Sequence, residues 1–129
     1  MTELSRACIL VVENDVLTRN LIGTILNNED HFVLAAANNA EGLEISRTFP
    51  DEIRLLIAKS AEVAGTIVRE RPETRVILLS GLMSAELKGI AQTVHPAAFL
   101  KHAALPQRLR DLIERALTDP NFGSAFVEV

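Results

Sequence analysis

Ala7-Cys8-Ile9-Leu10-Val11-Val12-Glu13-Asn14-Asp15 decides how the rest of the chain is read. An unbroken apolar run, with no polar residue alternating into it, fits a strand covered on both faces. Such strands belong to parallel sheets, where a helix must follow each strand. The run ends in an acid and two residues able to cap a helix. Asn14 or Asp15 can open a helix through about Asn28, with Leu17, Leu21, Ile25 and Leu26 on one side.

The alternation continues outward from there. His31 to Ala37 reads as a second strand. Asn38, with Glu41 three residues on, forms a capping box for a helix to about Thr48, and Phe49-Pro50-Asp51 breaks it. Ile53 to Ala58 is a third strand, and Ser60 caps a helix whose apolar side is Val63, Ala64, Ile67 and Val68 before Pro72 ends it. Arg75 to Leu79 is a fourth strand. A helix is expected from Ser84 to about Val94, closed by His95-Pro96, and Ala97 to Leu100 is a short fifth strand. Pro106 suits a first helical turn, and Leu109, Leu112, Ile113, Ala116 and Leu117 form one apolar stripe ahead of Asp119-Pro120. Five strand–helix units with short connections predict an α/β fold: a flavodoxin-like (βα)5 three-layer sandwich with a parallel sheet in the order 2-1-3-4-5. Its functional crevice is expected at the carboxyl ends of the strands. Residues 1–120 are expected to form the domain and 121–129 a tail that Phe122 and Phe126 could dock.

Composition narrows the function. The chain has 129 residues, 48% hydrophobic and 23% charged, which argues against intrinsic disorder. The apolar stretch Phe32–Ala37 is far short of the roughly 18 residues a membrane span needs. Met1–Arg6 has no long apolar segment behind it and is not read as a signal peptide. The single cysteine, Cys8, cannot form an internal disulfide, fits a reducing cytoplasm and is expected to behave as a buried small hydrophobe. A net charge of −4 and 4% aromatic content, all of it Phe, argue against nucleic-acid binding.

The sequence resembles the receiver domains of two-component response regulators over nearly its whole length. The resemblance rests on Ile9-Leu10-Val11-Val12-Glu13-Asn14-Asp15 with Leu17-Thr18-Arg19, on Val76-Ile77-Leu78-Leu79-Ser80-Gly81, and on Ala97-Ala98-Phe99-Leu100 ahead of Pro106-Gln107-Arg108-Leu109. It implies phosphoryl transfer to an aspartate at the end of the third strand. Acids after the first strand hold Mg²⁺, and a Ser or Thr after the fourth strand and a Lys after the fifth contact the phosphoryl oxygens. Glu13 matches the first acidic position. Asn14 stands where the family usually has Asp, so metal binding at Glu13 and Asn14 is expected to be weak or lost. Ser80 matches the hydroxyl position. Lys101 or His102 holds the cationic position; ungapped spacing from Phe99 to Pro106 favours His102, and without the usual following proline a trans bond is expected.

The third strand departs most. The family spacing lands on Ile57 or Ala58, and no Asp or Glu lies between Arg54 and Ser60. Asp51 precedes the strand and should sit at the far end of the sheet, because each strand residue spans about 3.3 Å. The loop that usually follows the acceptor also looks shortened. The resemblance therefore implies a stand-alone, cytoplasmic pseudo-receiver in phosphorelay signalling. It would not be an enzyme and would need no cofactor. It would act through a protein partner, a sensor kinase or a downstream regulator. A homodimer through the fourth helix, fifth strand and fifth helix is allowed, with Ala85, Leu87, Ile90 and Ala91 as apolar contacts. One alternative is a conventional phosphoacceptor using Asp51. Another is a hydrolase using Ser80 and His102, which lacks the Gly-x-Ser-x-Gly elbow.

Overall fold

A computed structural model describes residues 7–28, 31–79, 97–100 and 109–118. The expected helix over residues 84–94, the tail, and Ser80, Lys101 and His102 lie outside the described residues, as does the peptide bond expected to be trans. The elements in chain order are β1 (Cys8–Val12), α1 (Val16–Asn28), β2 (Phe32–Ala36), α2 (Asn39–Thr48), β3 (Leu55–Ala58), α3 (Ala61–Glu70), β4 (Arg75–Leu79), β5 (Ala97–Leu100) and α4 (Leu109–Thr118). All strand pairs are parallel, in the order β2-β1-β3-β4-β5. The architecture and strand order are those expected from the alternation of apolar runs and helices.

The period of two along each strand divides the core into two layers. Ile9, Val11, Leu55, Ile57, Ile77 and Leu79 meet Ile22, Ile25 and Leu26 of α1 and Leu109, Leu112 and Ile113 of α4. Leu10, Val12, Leu56, Ala58, Val76 and Leu78 face the other way, onto Val63, Ala64 and Ile67 of α3, with Leu43 and Ile45 of α2 packed alongside. The α2 helix lies so close to β1 that a Cβ on Gly42 would meet Val12 Cγ2 at 2.7 Å.

α1 keeps Ile25 and Leu26 of its expected apolar side inward but exchanges Leu17 and Leu21 for Ile22. Ile22, Ile25 and Leu26 are buried, whereas Leu17 is 78% and Leu21 38% exposed. The apolar residues of this helix span too wide an arc for one face. Docking on Ile9 and Val11 selects the Ile22 side and turns Leu17 and Leu21 outward, together with exposed Val16. Strand limits differ by a residue or two: β3 begins at Leu55, although Arg54 already donates its N–H to Cys8 O at 2.9 Å.

Arginines tie the amino-terminal edge of the sheet to the helix ends. Arg54 and Arg75 donate to Leu117 O and Ala116 O at 2.8 and 2.9 Å, satisfying carbonyls that the end of α4 leaves open. Arg71 donates to Ser46 O, Phe49 O and Asp51 O at 2.7–3.0 Å, fixing the turn between α2 and β3. Arg47 and Glu70 pair at 2.9 Å between α2 and α3, and the hydrogen bond from Arg47 holds the Glu70 carboxyl below its usual range.

Candidate functional site

The crevice forms where β1, β2 and β3 hand over to their helices. β1 delivers Glu13, which is 1% exposed. Its backbone continues the sheet by donating from N–H to Ala36 O at 3.0 Å, and its own carbonyl accepts from Arg19 at 2.8 Å. The Glu13 carboxylate accepts from Asp15 N–H through Oε2 at 2.9 Å. The other oxygen, Oε1, is buried and has no hydrogen-bond partner among the described residues. Asp15 caps α1: its Oδ2 accepts from Thr18 N–H at 2.9 Å and from Thr18 Oγ1 at 2.6 Å. That settles the choice left open between Asn14 and Asp15, and it leaves Asn14 exposed at the cleft.

The parallel register brings β3 to the same place. Val11 stands beside Ile57 and Val12 beside Ala58, so one step further places Lys59 beside Glu13. Ile57 and Ala58, the positions expected at the crevice, are both fully buried, one in each apolar layer. They are therefore strand residues, and the first side chain past β3 that reaches the cleft is Lys59. Lys59 Nζ lies 3.8 Å from Glu13 Oε2, with the lysine side chain 43% exposed. Asp51 lies at the other end of β3: the Arg54–Cys8 bond pairs this stretch with the start of β1, and Asp51 O is held by Arg71.

β2 and β3 each end in a helix cap. Asn38 Oδ1 accepts from Glu41 N–H at 2.8 Å as expected of the cap, while Glu41 Oε1 accepts from Ala37 N–H at 2.6 Å, one residue ahead of the N–H that a capping box uses. Ser60 Oγ accepts from Val63 N–H at 3.2 Å. Between these turns lies a cleft of about 370 Å³ lined by Val12, Asn14, Asn38, Asn39, Lys59 and Ser60. Among the described residues no group of three or more His, Cys, Asp or Glu side chains could hold a metal ion. A single carboxylate with an ammonium beside it is a poor match for Mg²⁺, a hard cation that collects several oxygen ligands. Among the described residues, no helix is long and apolar enough to cross a membrane.

No family model matches the sequence, and no curated protein matches it. Solved structures do. A CheY-like response regulator receiver domain protein from Methanospirillum hungatei superposes with a TM-score of 0.76 at 22% identity, covering 86% of this chain and 93% of that one. The chemotaxis protein CheY4 of Vibrio cholerae gives 0.76 at 18% identity, over 86% and 98% of the two chains. A response regulator from Thermotoga maritima gives 0.76 at 17%, over 88% and 99%. The fold is thus the CheY-like, flavodoxin-like receiver fold, spanning nearly the full length of the receiver structures it resembles.

Proposed function

We propose that this chain is a receiver-like module of two-component signalling that acts through protein contacts and is not phosphorylated at the usual site. The observation that carries this reading is Lys59, which stands beside Glu13 at the carboxyl end of β3. An acyl phosphate needs a carboxylate nucleophile there, and an ammonium cannot substitute for it. The same ammonium disfavours Mg²⁺ at Glu13 and Asn14, since it sets a positive charge where the cation would need anionic oxygens. This supports a module without a resident cofactor. The absence of a nucleophile at β3 favours a binding module over an enzyme.

Val16, Leu17 and Leu21 supply exposed apolar surface on the first turns of α1 and support contact with a protein partner, a sensor kinase or a downstream regulator. A homodimer through residues 84–94, β5 and α4 remains part of the proposal by family analogy. The net charge of −4 supports neither nucleic acid nor an acidic membrane as the partner.

The test is incubation of the purified chain with Mg²⁺ and a small acyl-phosphate donor, read by intact mass. No covalent phosphoryl adduct is expected, and the Asp51→Asn chain should behave identically. An adduct on the native chain that disappears in Asp51→Asn would overturn the reading in favour of a displaced acceptor.

A further inference from the structure

We infer that the free edge of β2 pairs with β2 of a second copy of this chain, antiparallel about Leu34, so that two five-stranded sheets join into one. β2 ends the strand order, with β1 on one side and no described strand on the other. Phe32 donates its N–H to Ala7 O at 2.9 Å, and Ala36 O accepts from Glu13 N–H at 3.0 Å, so the even-numbered residues of β2 turn their backbone groups toward β1. Backbone direction alternates along a strand, which turns the N–H and C=O of Val33 and Ala35 outward. The outward N–H groups at the two ends are already taken: His31 donates to Leu26 O at 3.4 Å, and Ala37 to Glu41 Oε1 at 2.6 Å. What stays open is a short row of donors and acceptors on Val33 and Ala35.

That row is complementary to itself. With the two-fold axis at Leu34, Val33 meets Ala35 of the second copy and exchanges both N–H···O bonds with it, and Ala35 meets Val33 in the same way. Leu34, whose backbone groups serve β1, faces its own counterpart at a position without hydrogen bonds. The side chains fit the same register. On the α1 face Val33 falls opposite Ala35 of the second copy, and on the α2 face Phe32 falls opposite Ala36, so a bulky residue meets a small one each time. Both faces of the strand reach solvent: Phe32 is 52% exposed on one, and Ala35 is exposed on the other.

Charge points to a second copy as the occupant. Exposed edge strands are ordinarily blunted by a charged side chain, a proline or a bulge. β2 has none of these: no Asp, Glu, Lys, Arg or Pro occurs from Phe32 to Ala40, and α1, which packs over β2, carries no charged residue from Asn20 to Asn28. A chain of net charge −4 therefore presents a neutral surface at this edge, where two identical copies meet without opposing like charges. One five-residue strand pair belongs to the small, transient class of interfaces, so the association is a reversible, concentration-dependent one. The edge lies across the sheet from β5, so this inference goes beyond the proposed function and does not use the dimer face named there.

The experiment is sedimentation equilibrium of the full chain from micromolar to millimolar concentration, beside Ala35→Pro and Ala35→Lys. The average mass of the native chain should rise from one chain toward two. Ala35→Pro removes an outward donor and leaves the ladder to β1 intact, as edge strands tolerate, while Ala35→Lys sets a charge at an exposed position. Each Ala35→Pro dimer lacks two hydrogen bonds, so its dissociation constant should rise by about tenfold or more, with thermal melting confirming that both variants are folded. Register is read with oxidised glutathione in a Cys8→Ala background. Leu34→Cys should cross-link, because facing residues of such a pair have Cα atoms about 4.5 Å apart, within disulfide reach. Phe32→Cys, about 13 Å from its counterpart, should stay reduced. A chain that remains monomeric throughout overturns the inference, including one whose Val33 and Ala35 amides are protected from exchange by residues 119–129. So does a dimer unchanged in both Ala35 variants, which would point to β5 and α4, or one whose Leu34→Cys variant does not cross-link. The readout is mass and cross-linking without a phosphoryl donor, so its failure is distinguishable from the covalent adduct that would defeat the proposed function.

Discussion

Two residues, Glu13 and Lys59, set the character of the site, and they do so by adjacency. Lys59 beside a buried carboxylate reverses the charge logic of a metal-dependent acceptor. If that position is what excludes phosphorylation, restoring carboxylates should restore it. The Asn14→Asp, Lys59→Asp double variant is expected to bind Mg²⁺ and to gain a covalent phosphoryl group from an acyl-phosphate donor, read by intact mass. A double variant that folds and stays unlabelled would show that more than this position is missing. Cys8 offers a pH-dependent test at the same scale. Burial, opposed by Arg71 and reinforced by Asp51, pushes its thiol from 9.0 up to about 11. The folded chain therefore keeps a proton that the unfolded chain releases above pH 9.0. Stability should fall between pH 9.0 and about 11, and the fall should be shallower in Cys8→Ala, as followed by denaturant midpoints. Alkylation of Cys8 at neutral pH should be slow, because the thiolate is the reactive form. The sequence had marked Cys8 as a buried small hydrophobe; its side chain is only partly buried, at the first position of β1.

At the scale of the element, α1 and α2 carry different lessons. For α1, the buried face is Ile22, Ile25 and Leu26. Ile22→Ala should cost about 2–5 kcal/mol, as for other deletions of buried aliphatic side chains. Leu17→Ser should change stability by less than about 0.5 kcal/mol, as is usual at exposed sites. Chemical denaturation of the two variants checks which face is inside. For α2, Gly42→Ala places a methyl group against Val12 and forces helix or strand to move. A lower melting temperature is expected, with disturbance spreading to the cleft, since Val12 is one of its walls. Gly42 stands inside the helical pattern that follows Asn38, where a glycine ordinarily carries only a modest cost. That the helix needs it for close approach is a property of the packed pair.

For the whole molecule, the amino-terminal edge of the sheet is held by arginines and the carboxyl-terminal edge carries the site. Arg71 makes one guanidinium serve Ser46, Phe49 and Asp51, and so ties α2 to the entry of β3. Arg71→Met keeps much of the aliphatic stem and removes these charge-assisted bonds. It should cost roughly 1.5–3 kcal/mol by denaturant unfolding, the range for hydrogen bonds to charged groups. Because this clamp lies at the opposite edge from Glu13 and Lys59, the variant should leave the amide NMR shifts of Glu13 and Lys59 unchanged while the chain stays folded. This division places stabilising contacts at one edge and leaves the other free for recognition, as parallel α/β sheets do at the carboxyl ends of their strands.

The sequence by itself determined the alternation of strands and helices, the two-faced burial of Ala7–Val12 and Leu55–Ala58, and the caps at Asn38 and Ser60. These follow from local periodicity and from which side chains can accept an N–H, and neighbours along the chain suffice for both. It also placed Glu13 and Asn14 at the first turn and Asp51 at the far edge of the sheet, since strand direction fixes which end a residue occupies. Only the tertiary structure decided that Lys59, rather than Ile57 or Ala58, stands beside Glu13, and that α1 buries Ile22 in place of Leu17 and Leu21. The reason is the same in both cases. Which residue leaves the strand, and which face of a helix turns inward, are set by register against β1, and register is a relation between segments far apart in the chain.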